Sequence, residues 1–402
     1  MPIIPRFILF FLLTVNFSSV ISAQTDSCHL RISLLTCTPG EELYSTFGHS
    51  ALRVTDSVSK DDIVYNYGTF NFEEPGFYKK FIRGKLLYYL STSDFYSFAE
   101  SYVQEKRGIT EQVLNLDCTE KKRIMQILGN NLSEKNKFYK YDFLFDNCTT
   151  RLRDLVEKST VSGLSYGQVL KHKTTFRQLI YEYLNYNHKE WSKLGIDLLL
   201  GSKTDHIMSN RETMFLPDYL MKTFDSTHKG PAPLISIKGN IYQPEDSNSE
   251  TGFFISPLFI FSVLFILISV LSFSKNNFTR NLLIGFDGFI FFIIGLLGLL
   301  MIFMWFGTDH VMCRNNYNLL WAWPTHTVAA FYMHSRKKTI QYYFRVVTVT
   351  NILLLITWTF LPQAFNVSLI PIMLIIILRS VMHSGLVNNF NHVSMNSKNH
   401  PL

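Results

Sequence analysis

Hydrophobic patterning splits the chain into two regimes. Between residues 24 and about 245, apolar and polar positions intermix, and no run is long enough to cross a bilayer. RISLLTC (31–37) reads as a strand, and HSALRVTD (49–56) alternates as a half-buried strand does. DIVYNYGTF (62–70) is rich in β-branched and aromatic residues, and the polar SVSKD between these two runs predicts a hairpin. Residues 77–107 carry helical spacing, ITEQVLNL (109–116) reads as a strand and KKRIMQILGNNL (121–132) as a helix. Such a mixture predicts an α+β unit over 24–245.

A polar stretch, QPEDSNSETG (243–252), ends this unit, with a linker at 246–252. Beyond it the chain turns strongly apolar over 253–382. Segments 253–273 and 282–306 are long enough to span a bilayer, 317–334 is a weaker third span, and 346–361 and 366–378 suggest two more. Lys275 and Arg280 lie in one short loop, and Arg336, Lys337, Lys338 and Arg345 in another, while GTDHVMCRNN and PQAFN are nearly uncharged. Five spans with the first domain outside put both basic loops, and the 383–402 tail, on the cytoplasmic side. Residues 1–23 read as a secretory signal: Arg6, then FILFFLLTV, then the small Ala23. An uncleaved anchor is the alternative, because Ile21 suits the cleavage site poorly.

The formal charge of +7 is explained largely by these membrane-flanking bases and calls for no nucleic acid. No Walker loop or dinucleotide glycine motif occurs. Five cysteines (28, 37, 118, 148 and 313) form no CxxC pair and the histidines are scattered, so no metal or other cofactor is expected. In an exported domain one disulfide among Cys28, Cys37 and Cys118 is plausible, with the pair left open.

The candidate chemistry centres on YDFLFDNCTTRLRDLVEK (141–158). Asp146 and Asn147 are good N-caps, and Leu152, Leu155 and Val156 follow at helical spacing, so a helix starts at or beside Cys148. There the sulfur faces unsatisfied N–H groups and the positive end of the dipole, which favours thiolate. A small buried hydrophobe is the plainer role for such a cysteine. His49, after a glycine at a strand start, is the candidate base, although most lone histidines are structural. Asn66, on the partner strand of the hairpin, is the candidate orienting group, or equally an ordinary strand-end residue. Arg151 and Arg153, just past Cys148, suit a lipid phosphate, or else an ion pair with Asp154 or another nearby acid. Asp287, inside the second span, is costly unless paired or beside a polar cavity. His310, in the outward loop, faces the side of the thiol, as a headgroup contact or a solvated loop residue. Arg177, Asp197 and Asp205 could equally be structural ion-pair partners.

FGHSALRV, VYNYGTFNF, FIRGKLLYYL, YDFLFDNCTTRLRD, IDLLLGSKTD and MFLPDYL resemble the bacterial Lnb-type lipoprotein N-acyltransferases over nearly the whole chain. The resemblance implies a permuted papain-like periplasmic domain (NlpC-type, lecithin:retinol acyltransferase-like), histidine before cysteine, followed by an all-α membrane domain. It also implies Cys148 as nucleophile and His49 as base. The expected partners are a phospholipid acyl donor, a diacylated lipoprotein acceptor and the inner membrane that holds the protein as a multi-pass chain. An exported compartment offers no expected ATP or acyl-CoA, so a ready-made ester is the natural donor. Two other functions remain open at this point: a tethered cysteine peptidase or amidase, and a non-catalytic receptor domain.

Overall fold

The computed structural model describes residues 28–245 and 256–386. The expected signal peptide, the 246–252 linker and most of the expected tail lie outside these residues. The first unit is built on a seven-stranded antiparallel sheet in the order β6-β4-β3-β2-β1-β5-β9. Its elements run β1 (Leu30–Cys37), β2 (His49–Asp56), β3 (Asp62–Thr69), α1 (Phe77–Ile82), β4 (Leu87–Asp94), α2 (Phe95–Gln104), β5 (Ile109–Leu114), α3 (Cys118–Leu132) and β6 (Phe138–Lys140). Then come α4 (Cys148–Ser159), α5 (Phe176–Tyr186), α6 (Glu190–Leu199), α7 (Pro217–Asp225), the small pair β7 (His228–Lys229) and β8 (Ala232–Pro233), and β9 (Ile235–Tyr242).

Period-two alternation sends β-strand side chains to two separate cores. Ile32, Leu34, Leu52 and Val54 pack on one face with Leu152, Leu155 and Val156 of α4. Leu35, Cys37, Ala51 and Val64 pack on the other with Phe98 and Tyr102 of α2. The β2–β3 hairpin forms as the patterning predicts, pairing Leu52 with Tyr65 and Thr55 with Asp62. Within 77–107, where the spacing is more helical, α1 and α2 form, but LYYLSTSD between them is strand β4. Its tyrosines, serines and threonine suit a strand, and pairing to both β3 and β6 overrides the local periodicity. Cys37 is a buried thiol in the α2 core. Cys28 Sγ, by contrast, lies 4.0 Å from the Cys118 carbonyl oxygen.

The second unit is helical: α8 (Pro257–Ser272), α9 (Asn277–Phe306), α10 (His326–Ala329), α11 (Lys338–Ile356) and α12 (Leu369–His383). By length and composition α9 and α11 can cross a membrane, while α8 and α12 are shorter apolar helices. The third expected span, 317–334, is not one helix. It is a 3-10 turn at Tyr317–Leu320, a proline at 324, α10, and a further 3-10 turn at Ala330–Tyr332. Pro324 lacks a donor and disfavours helix at the residue before it. The segment still runs antiparallel along α9, so closely that a Cβ at Gly298 would lie 2.1 Å from the Ala322 oxygen, and one at Gly295 2.3 Å from the Thr327 nitrogen.

The two units are joined by a buried polar seam. Arg177 of α5 is fully buried and pairs with Asp197 at 2.8 Å and Asp205 at 3.0 Å. Asp197 in turn accepts from Tyr181 Oη and from Asn366 Nδ2, each at 2.8 Å, the latter from the loop before α12. Asn316 donates to the Leu198 carbonyl, Asn318 to that of Asp197, and Gln363 to that of Leu200. The backbone N–H of Gly201 donates to the Met312 carbonyl at 2.7 Å. Removing one partner of a buried pair leaves an uncompensated charge. We therefore expect Arg177→Met to destabilise the protein by about 3–5 kcal/mol and Asn366→Ala by about 1 kcal/mol. Thermal unfolding in detergent, followed by protease resistance, measures both, and equal losses would contradict this ranking.

Candidate active site

Helix α4 opens with Asn147 as its N-cap. The Asn147 side chain accepts the Thr150 N–H at 2.8 Å, and the Asn147 N–H returns a bond to Thr150 Oγ1 at 2.8 Å. Its amide nitrogen also donates to the carbonyls of Phe143 and Phe215, so the start of the helix is locked on both sides. Cys148 is therefore held at the first helical position, 8 % exposed. The helix lies over β2, tied by Thr149 Oγ1 donating to Ser50 Oγ at 3.2 Å. That contact sets the thiol against His49, the first residue of β2. A side chain at Gly68, which has φ +90°, would place its Cβ 3.6 Å from that of Cys148. Glycine thus meets the left-handed backbone at the end of β3, beside Cys148.

His49 Nε2 lies 3.3 Å from Asn66 Oδ1. Donation of Nε2–H to that acceptor leaves Nδ1 for the thiol. Burial alone pushes the Cys148 thiol up. The His49 charge and hydrogen bond, the Ser50 N–H and the Thr149 hydroxyl reverse this and bring it from 9.0 down to about 7. Burial alone lowers His49, yet Cys148, by charge and hydrogen bond, and Asn66 carry it above 6.5, against the opposing charge of Arg107. The largest opposing contribution is the same for both, a thiolate facing an imidazolium. Cys37, by contrast, is pushed by burial up to about 12 despite the opposing charge of Arg107 and hydrogen bond of Tyr102.

The other candidates that the sequence suggests each hold partners of their own. Arg151 makes a two-point pair with Asp146, at 2.6 and 2.8 Å, and lies 3.4 Å over the Tyr139 ring. Asp146, five residues before it, and not Asp154, is its partner. Arg153 bonds to Asp154 at 2.8 Å. Asp287 is fully buried between Arg379 and His383, each at 2.7 Å, within the helical unit. His310 reaches the first domain, with Nε2 at 3.2 and 3.1 Å from the carbonyls of Phe81 and Ile82 at the end of α1. Residues not singled out as candidates also crowd the thiol. Ser50, next to His49, and Thr149, next to Cys148, bear small hydroxyls, and Tyr141 is pushed well above its ordinary range by burial and by the Cys148 charge.

Comparison with known proteins finds two family models. One, the Lnb N-terminal periplasmic domain, matches residues 16–182, and the other, the Lnb transmembrane domain, matches residues 248–389. Nothing matches among curated proteins or solved structures. The two matches make this a membrane-anchored protein with a periplasmic domain, and they point to acyl transfer of the lipoprotein N-acyltransferase kind. Carrying both domains in that order, the chain belongs to the Lnb-type family.

Proposed function

We propose that this protein is a lipoprotein N-acyltransferase of the inner membrane, crossing it five times, with the broken 317–334 segment as the third crossing. The observation that carries the chemistry is the lowered Cys148 thiol at a helix start, paired with His49. The thiolate attacks an acyl ester carbonyl of a phospholipid. The N–H groups of Cys148 and Thr149, the first two of α4, are the donors for the oxyanion, since the capping box engages the third. Collapse expels the lysophospholipid alkoxide, which takes its proton from the His49 imidazolium. The product is a thioester on Cys148. The free α-amine of a diacylglyceryl-cysteine at a lipoprotein N-terminus then attacks it. His49 takes the amine proton, the thiolate leaves, and an N-acylated lipoprotein departs. Asn66, by accepting from Nε2, holds the imidazole toward the sulfur through both halves.

Incubation with phospholipid alone is expected to leave one acyl mass on Cys148, labile to hydroxylamine. A diacylglyceryl-cysteine peptide with a free α-amine should discharge it. Intact-protein mass spectrometry reads this, with Cys148→Ala as the blank. An acyl mass in both proteins, or cleavage of wall peptides with no adduct, would replace this reading with hydrolysis.

The lowered thiol gives a pH signature. Below the shifted value the thiol is protonated and inert, and above it the thiolate dominates. Alkylation of Cys148 by iodoacetamide should rise through about pH 7 and then level. In His49→Ala the burial effect is no longer opposed by the imidazolium, so the midpoint moves up, and alkylation at pH 7 should fall by at least ~10-fold. Peptide mass spectrometry resolves the Cys148 adduct from the others. An unmoved midpoint would remove His49 from the pair.

A further inference from the structure

Helix α1 and the turn before it carry apolar side chains that the first domain leaves uncovered. Phe72 is 64 % exposed, Tyr78 75 %, Phe81 51 % and Ile82 48 %. Four bulky residues within eleven positions are more than isolated surface hydrophobes need. Lys79 and Lys85 are exposed beside them, as is Glu73, while Lys80 is paired with Glu74 at 2.6 Å. The position of this patch identifies what covers it. The long helix α9 ends at Phe306, itself 74 % exposed and stacked on Trp305 at 5.1 Å. Three residues later the chain bonds to the end of α1 and to β6: Asp309 N–H donates to the carbonyl of Arg83, the residue after α1, at 2.9 Å, Asp309 pairs with Lys140 of β6 at 3.0 Å, and His310 meets the carbonyls of Phe81 and Ile82. The exposed patch is thus fastened to the outer end of a membrane-length helix, where aromatic and basic side chains favour the lipid headgroup layer.

A chain of rings leads from that patch to the sulfur. Phe81 stacks on Phe77 at 6.1 Å, Phe77 meets Phe70 at 5.9 Å, Phe70 meets Tyr88 at 5.3 Å, and Tyr88 stacks on Tyr141 at 4.4 Å. Tyr141 lies with Cys148 around Gly68, where an added Cβ would be 3.5 Å from the ring and 3.6 Å from the Cys148 Cβ. The geometry points to α1 as an element that dips into the outer leaflet of the bilayer and admits a phospholipid acyl ester to Cys148 along this aromatic wall. The bilayer contact stands on the docking of α1 to α9. The substrate path rests on the acyl-transfer reading above. Aromatic rings suit the task because they offer a large apolar surface at little cost in side-chain entropy.

The test uses the full chain in vesicles of phosphatidylethanolamine and phosphatidylglycerol with a labelled acyl chain. A benzophenone amino acid replaces Phe81, or, as reference, Val58. Val58 is exposed at the tip of the β2–β3 hairpin, at the opposite end of β2 from His49. Light should crosslink position 81 to lipid and leave position 58 unlabelled, and equal labelling would overturn the bilayer contact. Phe72→Glu combined with Phe81→Glu should lower Cys148 acylation from vesicle lipid at least ~10-fold, with Cys148 alkylation by iodoacetamide unchanged. If that alkylation also changes, Tyr78→Glu, at a more exposed position, decides by the same two readouts. Wild-type acylation rates in the charged variants would overturn the path. Failure of the parent protein to acquire any acyl group counts against the acyl-transfer reading, whereas the crosslinking result reports on α1 alone.

Discussion

A buried thiolate is an expensive species, and the site is organised around making one tolerable. Desolvation acts against the charge on Cys148. The opposing contributions come from different parts of the chain: His49 and Ser50 from β2, and the dipole and Thr149 from α4 itself. They act together only if the first turn of α4 is fixed over the start of β2. The Asn147 capping box, its two further carbonyl contacts and the Thr149–Ser50 bond supply that fixation. The rest of the helix is ordinary packing, with Leu152, Leu155 and Val156 filling one core of the sheet. Chemistry and folding therefore divide within one helix, between its first turn and its apolar face.

The start of α4 is readable in the sequence because its signal is local. N-cap residues, the cysteine and the apolar spacing fall within one short segment. Position 49 is readable as a strand start, and the β2–β3 hairpin brings Asn66 to it. The strand β4 is hidden because pairing with β3 and β6, and not its own spacing, determines its state. The charged candidates are legible as residues but not as partnerships. Arg151 finds its acid five residues back, Asp287 finds Arg379 92 residues on, and His310 meets α1 across 229 positions of sequence. A buried charge announces that a partner exists; only the fold says which one.

The helical unit is more than a tether. A flexible anchor would raise the local concentration of the thiol near lipid but leave its height and orientation unset. Here the loop after α9 bonds to α1 and to the chain after α6, and the loop before α12 reaches Asp197. Leu194 of α6 is buried in the core of the helical unit itself. These contacts enter the first domain at separate places, and contacts at separate places prevent rotation as well as translation.

A fixed height matters for the proposed reaction in particular. The ester carbonyls of a phospholipid occupy a narrow layer, and productive attack requires the reacting atoms to be held in a near-attack geometry. The acceptor amine, borne on a diacylglyceryl group, is anchored in that same layer. One rigid mount can therefore serve donor and acceptor in turn, with the thioester waiting between them at a constant depth. Water competes for that thioester, and an apolar surround of rings beside Cys148 disfavours it while leaving a lipid-borne amine a path along the membrane plane. In the proposed reaction, the mount that would bring the ester to the sulfur would thus also bias the intermediate toward transfer over hydrolysis.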